Sequence, residues 1–488
     1  MSPGELCFLP GWRLRQMLAG RQVSAREVLD AHLGQVGACN PRVNAVVTLC
    51  ADRARQAARR ADDRLARGEP AGPLHGLPVA HKDLVEVAGV RTTYGSLLYR
   101  DHVPARDHLI VQRMRAAGAI VIGKTNTPEF GVGSQTHNRV FGATRNPWDL
   151  ARTCGGSSGG AAVALATGMV ALADGSDMGG SLRNPASYCN VVGLRTTPGR
   201  VPDLPGGSGL TNLSVLGPMA RHAADAALLL SVIAGPDPRE PGSRPEPGAA
   251  FSPLPPRDFR GTPVAFGRDL GGLPFEPAVL AAHESQRHVL TALGCSVADA
   301  EPDLGDADRI FRVLRGWQLA ATRGADADRG GETVAPMVRA NVAYGRTVTA
   351  ADLAWAHAAR AALLERAGEF WERYEFLVLP VSQVLPFGVD QPWVTEIAGQ
   401  PMPDYLTWMA SCYLVSVLAA PAASVPVAFS PGGLPVGMQI VGRPGDDLGV
   451  LQLACAVEEA AGVAGRRPPL AAQAAGAPAG GAHSASAE

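Results

Sequence analysis

Residues Thr153 to Gly199 read TCGGSSGGAAVALATGMVALADGSDMGGSLRNPASYCNVVGLRTTPG. Two glycine-flanked serine clusters stand in this stretch, Gly155-Gly156-Ser157-Ser158-Gly159-Gly160 and Gly179-Gly180-Ser181. Without a Cβ, glycine takes backbone angles and close approaches that other residues cannot. The uncharged, alanine-rich run Ala161 to Ala173 between the clusters reads as a buried helix, so the two bends would bring serine hydroxyls together. A flexible Gly/Ser linker is a poorer reading, because linkers are seldom followed directly by an apolar helix and a second bend. A phosphate loop fails for want of a Lys-Ser/Thr pair after the glycines. Gly156-Ser157-Ser158-Gly159-Gly160 fits the nucleophile-elbow pattern with Ser158 as nucleophile, but the approach Pro147 to Arg152 is polar and turn-rich where an apolar strand is required.

Outward from this stretch the chain alternates helical and strand-like patterns. Ser24-Ala25-Arg26-Glu27 is a capping box, followed by Val28, Leu29, Leu33 and Val36 at helical spacing. Asn44 to Leu49 fits a short strand, and Ala51 to Arg67 a solvent-facing helix. Gly76 to Asp83 reads as a buried strand delivering Lys82 at its end, and Val111 to Lys124 as a helix followed by a strand. Helices are expected over Asp306–Ala321 and Ala350–Tyr374, and strands at Phe376–Pro380 and Met438–Gly442. The predicted class is α/β.

The chain has 488 residues, 46% apolar and 18% charged, with a net charge of −1. No basic excess is present to neutralise phosphates or an anionic membrane, so neither nucleic acid nor membrane is expected as a partner. Tyr405 to Gly442 carries no formal charge, yet Pro421, Pro426, Pro431, Gly432 and Gly433 divide it into pieces too short to cross a bilayer as helices. A buried helix followed by core strands is expected there. Eight scattered cysteines without metal-type spacing, and an N-terminus without a signal-peptide pattern, suggest a reduced cytoplasmic protein. A single domain over residues 1–468 is expected, with signature residues 76–200 at its core. A proline-rich surface connection at 235–256 and a disordered Ala/Gly/Ser-rich tail at 469–488 complete the expected organisation.

A serine nucleophile needs a base, and a lysine held neutral by burial can serve. Lys82, following Leu77-Pro78-Val79-Ala80, is placed for burial. At this point the sequence resembles the amidase signature family, whose GGSSGG, G-[ST]-D-x-GGS-x-R and GVVGLK-like motifs stand here as Gly155–Gly160, Gly175–Arg183 and Val191–Arg195. Leu77–Asp83, Thr92–Ser96, Phe141–Asp149 and Gly433–Gln439 also match, and the resemblance runs from about Ser24 to Ala460. It implies a central mixed, twisted sheet covered by helices on both faces, and a Ser–cis-Ser–Lys triad on Ser181, Ser157 and Lys82. Ser181 would be the nucleophile, Ser157 a proton shuttle after a cis peptide, and Lys82 the base. The N–H groups of Met178, Gly179, Gly180 and Ser181 would form the oxyanion hole, with Ser158, Asp177 and Arg183 in support. No cofactor or metal is implied.

Met178 stands where threonine or isoleucine is usual, Thr153-Cys154 where Thr-Pro or Ser-Pro is frequent, and Arg195-Thr196-Thr197 where Lys-Pro-Thr is common. His81, next to Lys82 on a strand, should face the other way. Cys189 reads as a small buried thiol. Pocket walls are expected from Glu129–Asn138, Gly206–Asn212, Arg309–Arg346 and Pro386–Tyr405, with one or two of Trp393, Tyr405, Trp408 and Tyr413 lining the pocket. The expectation is a stand-alone amidase, monomer or homodimer, and the few charges of the late segment point to uncharged substrates. It would cleave small uncharged aryl or alkyl amides, and possibly esters or carbamates, through an acyl-enzyme. The alternative is the glutaminase subunit of a tRNA-dependent amidotransferase. That subfamily usually carries a YDGVRYG-like segment, of which Asn341 to Arg346 keeps only a fragment.

Overall fold

The computed structural model describes residues 2–204 and 212–476. Eleven strands form one mixed sheet: β1 (Val46–Leu49), β2 (Pro78–Lys82), β3 (Ile120–Thr125), β4 (Leu172–Asp177), β5 (Val192–Arg195), β6 (Val215–Ala220), β7 (Pro263–Phe266), β8 (Ser296–Asp299), β9 (Phe376–Pro380), β10 (Ala422–Phe429) and β11 (Pro435–Gly442). Their spatial order is β1-β3-β2-β4-β6-β5-β10-β11-β9-β7-β8. β2 runs parallel to both β3 and β4, in the register Lys82↔Thr125 and Ala80↔Ala173. β4, β6, β5, β10, β11 and β9 follow one another antiparallel, and β9, β7 and β8 are parallel again. Central strands are buried along their whole length, as their apolar sequences require of a sheet covered on both faces.

Helices flank this sheet. In α1 (Ala25–Val43) the predicted capping box forms, with the Glu27 N–H donating to Ser24 Oγ at 3.1 Å and the Ser24 N–H to Glu27 Oε2 at 2.7 Å. Its buried stripe includes Val28, Leu29 and Val36. α2 (Ala51–Ala66) buries only Ala54, Ala58 and Ala61, as a solvent-facing helix should. The alanine-rich run is a shorter helix than its composition predicts. α3 covers Gly159–Ala166, and Leu172–Asp177 is already strand β4. Gly168, at φ +73°, makes the turn between them, a left-handed conformation that suits glycine and ends the helix. All eight residues of α3 are buried. At Gly160 a Cβ would sit 2.3 Å from the Asn126 amide nitrogen, so only glycine lets the helix start lie directly on that backbone.

α4 (Arg183–Cys189) follows the second bend, and α5 (Ala307–Gly330), α6 (Pro336–Thr347), α7 (Ala350–Arg373) and α8 (Ala410–Val417) build a second apolar cluster around Phe311, Trp408 and Tyr413. The uncharged segment 405–442 therefore becomes buried helix α8 and strands β10 and β11, and no helix among the described residues is long and apolar enough to cross a membrane. One expectation needs correction. Residues Pro469–Gly476 form a helix with Leu470 and Ala471 buried, where an unstructured tail is predicted; 477–488 lie outside the described residues. The proline-rich connection runs mostly over the surface, anchored at one point. Phe251 within it is buried beneath the Arg200 guanidinium, 5.3 Å from its ring centre.

Candidate active site

Lys82 closes the central strand β2, where flanking strands and α3 exclude water and leave it fully buried. Its ammonium nitrogen has three hydroxyl partners: Ser157 Oγ at 2.7 Å, Ser158 Oγ at 2.9 Å and Ser176 Oγ at 3.0 Å. Burial pushes the lysine down to about 7, against the opposing pull of Asp177 and Asp174. Near neutral pH a substantial fraction is therefore uncharged and able to accept a proton. The Gly156–Ser157 peptide is cis. Ser176, the serine of the G-S-D motif, is a third oxygen on the lysine that sequence reasoning did not single out.

The second bend is held by a buried carboxylate. Asp177 accepts the Gly180 N–H at 2.9 Å, the Leu182 N–H at 3.1 Å, and Arg183 Nε and Nη2 at 3.0 and 2.8 Å. Arg183 also reaches the Cys412 carbonyl, Gln439 and Ser416, and Arg195 donates to the Asp177 carbonyl at 2.6 Å. Burial pushes the Asp177 carboxyl up, but the Arg183 charge and hydrogen bonds, with Arg195 and the Gly180 N–H, outweigh it and hold Asp177 well below the usual carboxylate range. Gly180 stands at φ +119°, and a Cβ there would lie 2.7 Å from both Asn184 Nδ2 and Cys412 Cβ. The bend thus requires glycine for conformation and for space. The Ser158 N–H donates to the Ser181 carbonyl at 3.1 Å, which ties the two serine loops together.

Among the described residues, the N–H groups of Met178, Gly179 and Ser181 donate to no acceptor and the Ser181 hydroxyl makes no hydrogen bond. Gly180, grouped with them from sequence, differs: its N–H is committed to Asp177. Ser157, Ser176, Met178, Gly179 and Ser181 all border one cavity of about 700 Å³. Ser157 and Ser181 share that cavity without a hydrogen bond between their hydroxyls.

The cavity walls come partly from where the sequence places them. Phe130 to Gly133 form one wall, and α5 supplies another through Phe311, Arg315 and Arg323. Of the four late aromatics, Tyr405 lines the cavity. Trp408 is buried and donates to Ser134 Oγ at 3.1 Å, and Tyr413 stacks on Phe311 with ring centres 4.6 Å apart. The predicted wall at 206–211 lies outside the described residues. Glu86, Asp203, Arg315 and Arg323 all border the cavity, so its lining is far more charged than the late segment alone suggests. Arg315 is 7% exposed, and among the described residues its guanidinium donates only to the neutral Asn341 side chain and the Tyr405 hydroxyl. It sits mid-helix in an arginine-rich segment, where periodicity could not distinguish it from solvated neighbours. His81 turns away from Lys82 into a buried pair with Asp174, and Cys189 is a fully buried thiol that burial pushes well above the ordinary range.

Residues 27–451 match the Amidase family. The chain belongs to that family. It is 34% identical to a glutamyl-tRNA(Gln) amidotransferase subunit of Moorella thermoacetica, over 96% of this chain and 99% of the relative. Further relatives at 31–35% identity carry the same name. Among solved structures it resembles a bacterial aryl acylamidase of the amidase signature enzymes, with a TM-score of 0.88, 27% identity and coverage of 96% and 99% of the two chains. It also resembles the corresponding glutamyl-tRNA(Gln) amidotransferase subunit of Thermotoga maritima, with a TM-score of 0.73, 27% identity and 94% of each chain covered.

The named relatives overturn two expectations. A stand-alone amidase for small uncharged amides is not what they are, and amidotransferase subunits named for a tRNA contradict the expectation of a small molecule as sole partner with no nucleic acid. The net charge of −1 bears only on this chain's own surface and does not exclude a nucleic acid met through other subunits. The fragmentary segment at Asn341 to Arg346 lies on α6, where Asn341 accepts a hydrogen bond from the cavity-lining Arg315.

Proposed function

We propose that this chain is the amide-hydrolysing subunit of a glutamyl-tRNA(Gln) amidotransferase, releasing ammonia from glutamine for use by partner subunits on tRNA-bound glutamate. The observation that carries the reading is the agreement of relatives at 31–35% identity over nearly the whole chain. The cavity supports it. A buried guanidinium paired only with neutral groups is costly unless an anion completes it, and the carboxylate of a small amino-acid amide would do so at Arg315.

In the proposed reaction Ser181 attacks the side-chain amide carbon. Its proton passes to Ser157 as Ser157 gives its own to neutral Lys82. The N–H groups of Met178, Gly179 and Ser181, free of other acceptors, would stabilise the oxyanion, each worth on the order of 100-fold in rate. Gly180 would instead keep Asp177 beneath the loop. The proton returns through Ser157 to the departing ammonia, leaving an acyl-enzyme on Ser181. Water then attacks by the same relay in reverse. Ser158 and Ser176 accept the two N–H bonds that the neutral lysine keeps, which leaves its lone pair for the Ser157 proton.

Co-expression with candidate partner subunits, followed by assay of glutamine-dependent conversion of glutamyl-tRNA(Gln) to glutaminyl-tRNA(Gln), tests the assignment. Conversion that requires this chain is the expected result. Failure to associate with any partner, together with no conversion, would reject it.

A further inference from the structure

Behind Lys82 lies a buried aspartate–histidine pair that the proposed reaction does not use. Asp174 on β4 is fully buried; its Oδ1 accepts the Lys82 N–H at 2.9 Å, and its Oδ2 meets His81 Nδ1. His81 is the residue before Lys82, also fully buried, and its Nε2 has no partner among the described residues. An aspartate and a histidine at 0% exposure are costly choices for adjacent central strands, where apolar side chains would pack at less expense. Asp174 holds the main chain of the residue whose side chain reaches Ser157. It carries a negative charge one strand away from the lysine.

We propose that the Asp174–His81 pair is a positioning element for Lys82, in which Asp174 clamps the Lys82 main chain, His81 fixes the Asp174 carboxylate, and the charge on Asp174 sets how readily Lys82 gives up its proton. The proposal rests on the assignment of Ser181 and Lys82 above, but not on the identity of the amide.

The other charges around Lys82 are accounted for. Just past the end of its strand, Asp83 faces Lys124 of β3, at 3.7 Å. From β4, Asp177 is neutralised by Arg183 and Arg195. Helix α3 contributes no titratable side chain. Asp174 itself is kept ionised: burial opposes this, but its contact with His81, the Lys82 N–H and the Lys124 charge prevail. Asp174 and Asp177 are the two carboxylates that hold the lysine's proton on, and only Asp177 is directly bridged by arginine.

The test is the rate at which a fluorophosphonate probe phosphonylates Ser181, with loss of fluoride, measured against pH. Asp174→Asn keeps an oxygen to accept the Lys82 N–H but removes the charge. Its acid limb is expected to move to lower pH by on the order of half a unit or more. Asp174→Ala removes clamp and charge together and should lower the plateau rate at least tenfold. His81→Ala should also lower the plateau, and His81→Gln, with a donor of similar reach, should restore most of it. Thermal melts of each variant separate a lost fold from a lost position. A wild-type limb and plateau in Asp174→Asn, or a His81→Ala rate equal to wild type, would overturn the proposal. A wild-type protein that does not label at all would instead reject Ser181 as nucleophile, and this inference with it.

Discussion

Replacing Arg183 with methionine removes the cation from a fully buried site. Arg183 is fully buried, and five of its hydrogen bonds end on Asp177, Cys412, Gln439 and Ser416. The variant keeps the bulk but strands the Asp177 carboxylate, with Arg195 as its remaining ionic partner. Breaking a buried pair from one side costs about 3–5 kcal/mol. Unfolding entropy of about 2.1 cal/mol/K per residue gives roughly 1 kcal/mol/K for a chain of this size, so the melting temperature should fall by about 3–5 °C. The pH dependence carries the sharper signature. Asp177 is held below its ordinary value in the wild type, so its stabilising contribution is present above the ordinary aspartate range and is lost as pH falls toward the depressed value. In the variant Asp177 protonates earlier and relieves the stranded charge. The gap between the two melting curves should therefore be widest above about pH 5 and narrow as pH drops through about 4. Differential scanning fluorimetry from about pH 3.5 to about pH 8 brackets that window and measures both. A variant melting within a degree of wild type at neutral pH, or a gap that does not change with pH, would refute the view that Asp177 is the charged keystone of this loop.

Three further outcomes follow from the same geometry. Because neutral Lys82 is the proposed base and burial brings it down to about 7, turnover should be lost as pH falls through about 7 and level off above it; an undiminished rate at about pH 5 would exclude a lysine base. Gly180→Ala places a Cβ against Asn184 and Cys412 at a positive φ. It should slow phosphonylation of Ser181 at least tenfold, which a stopped labelling time course would show. Arg315→Met should raise KM for glutamine by about 10–100-fold, the worth of a charge-assisted hydrogen bond, and a KM within twofold of wild type would remove Arg315 from substrate recognition.

The sequence was most legible where local pattern and tertiary position agree. The capping box at Ser24, the buried strand ending at Lys82 and the apolar strands at 376–380 and 438–442 each carry their own periodicity, and all appear as elements. The reach of the alanine-rich run was not legible, because composition could not show that a left-handed turn at Gly168 ends the helix and opens β4. Lys82, Ser157 and Ser158 come together as the motifs suggest, but the contribution of Ser176 depends on which face of β4 meets the lysine. That is settled by the parallel pairing of β2 with β4 and by no local signal. The commitment of the Gly180 N–H to Asp177 is likewise a property of the folded loop. Charge in the cavity was the largest omission. Arg315 and Arg323 come from α5, far along the chain from the serine loops, and nothing in a single arginine-rich helix shows which guanidiniums turn inward.

The most direct test of the central claim is ammonia release from glutamine by the assembled complex containing wild-type, Ser181→Ala or Lys82→Ala chains. Release with the wild type is predicted, and background levels with either variant, each variant remaining folded and bound to its partners. Release by the Ser181→Ala complex at the wild-type rate would contradict the assignment.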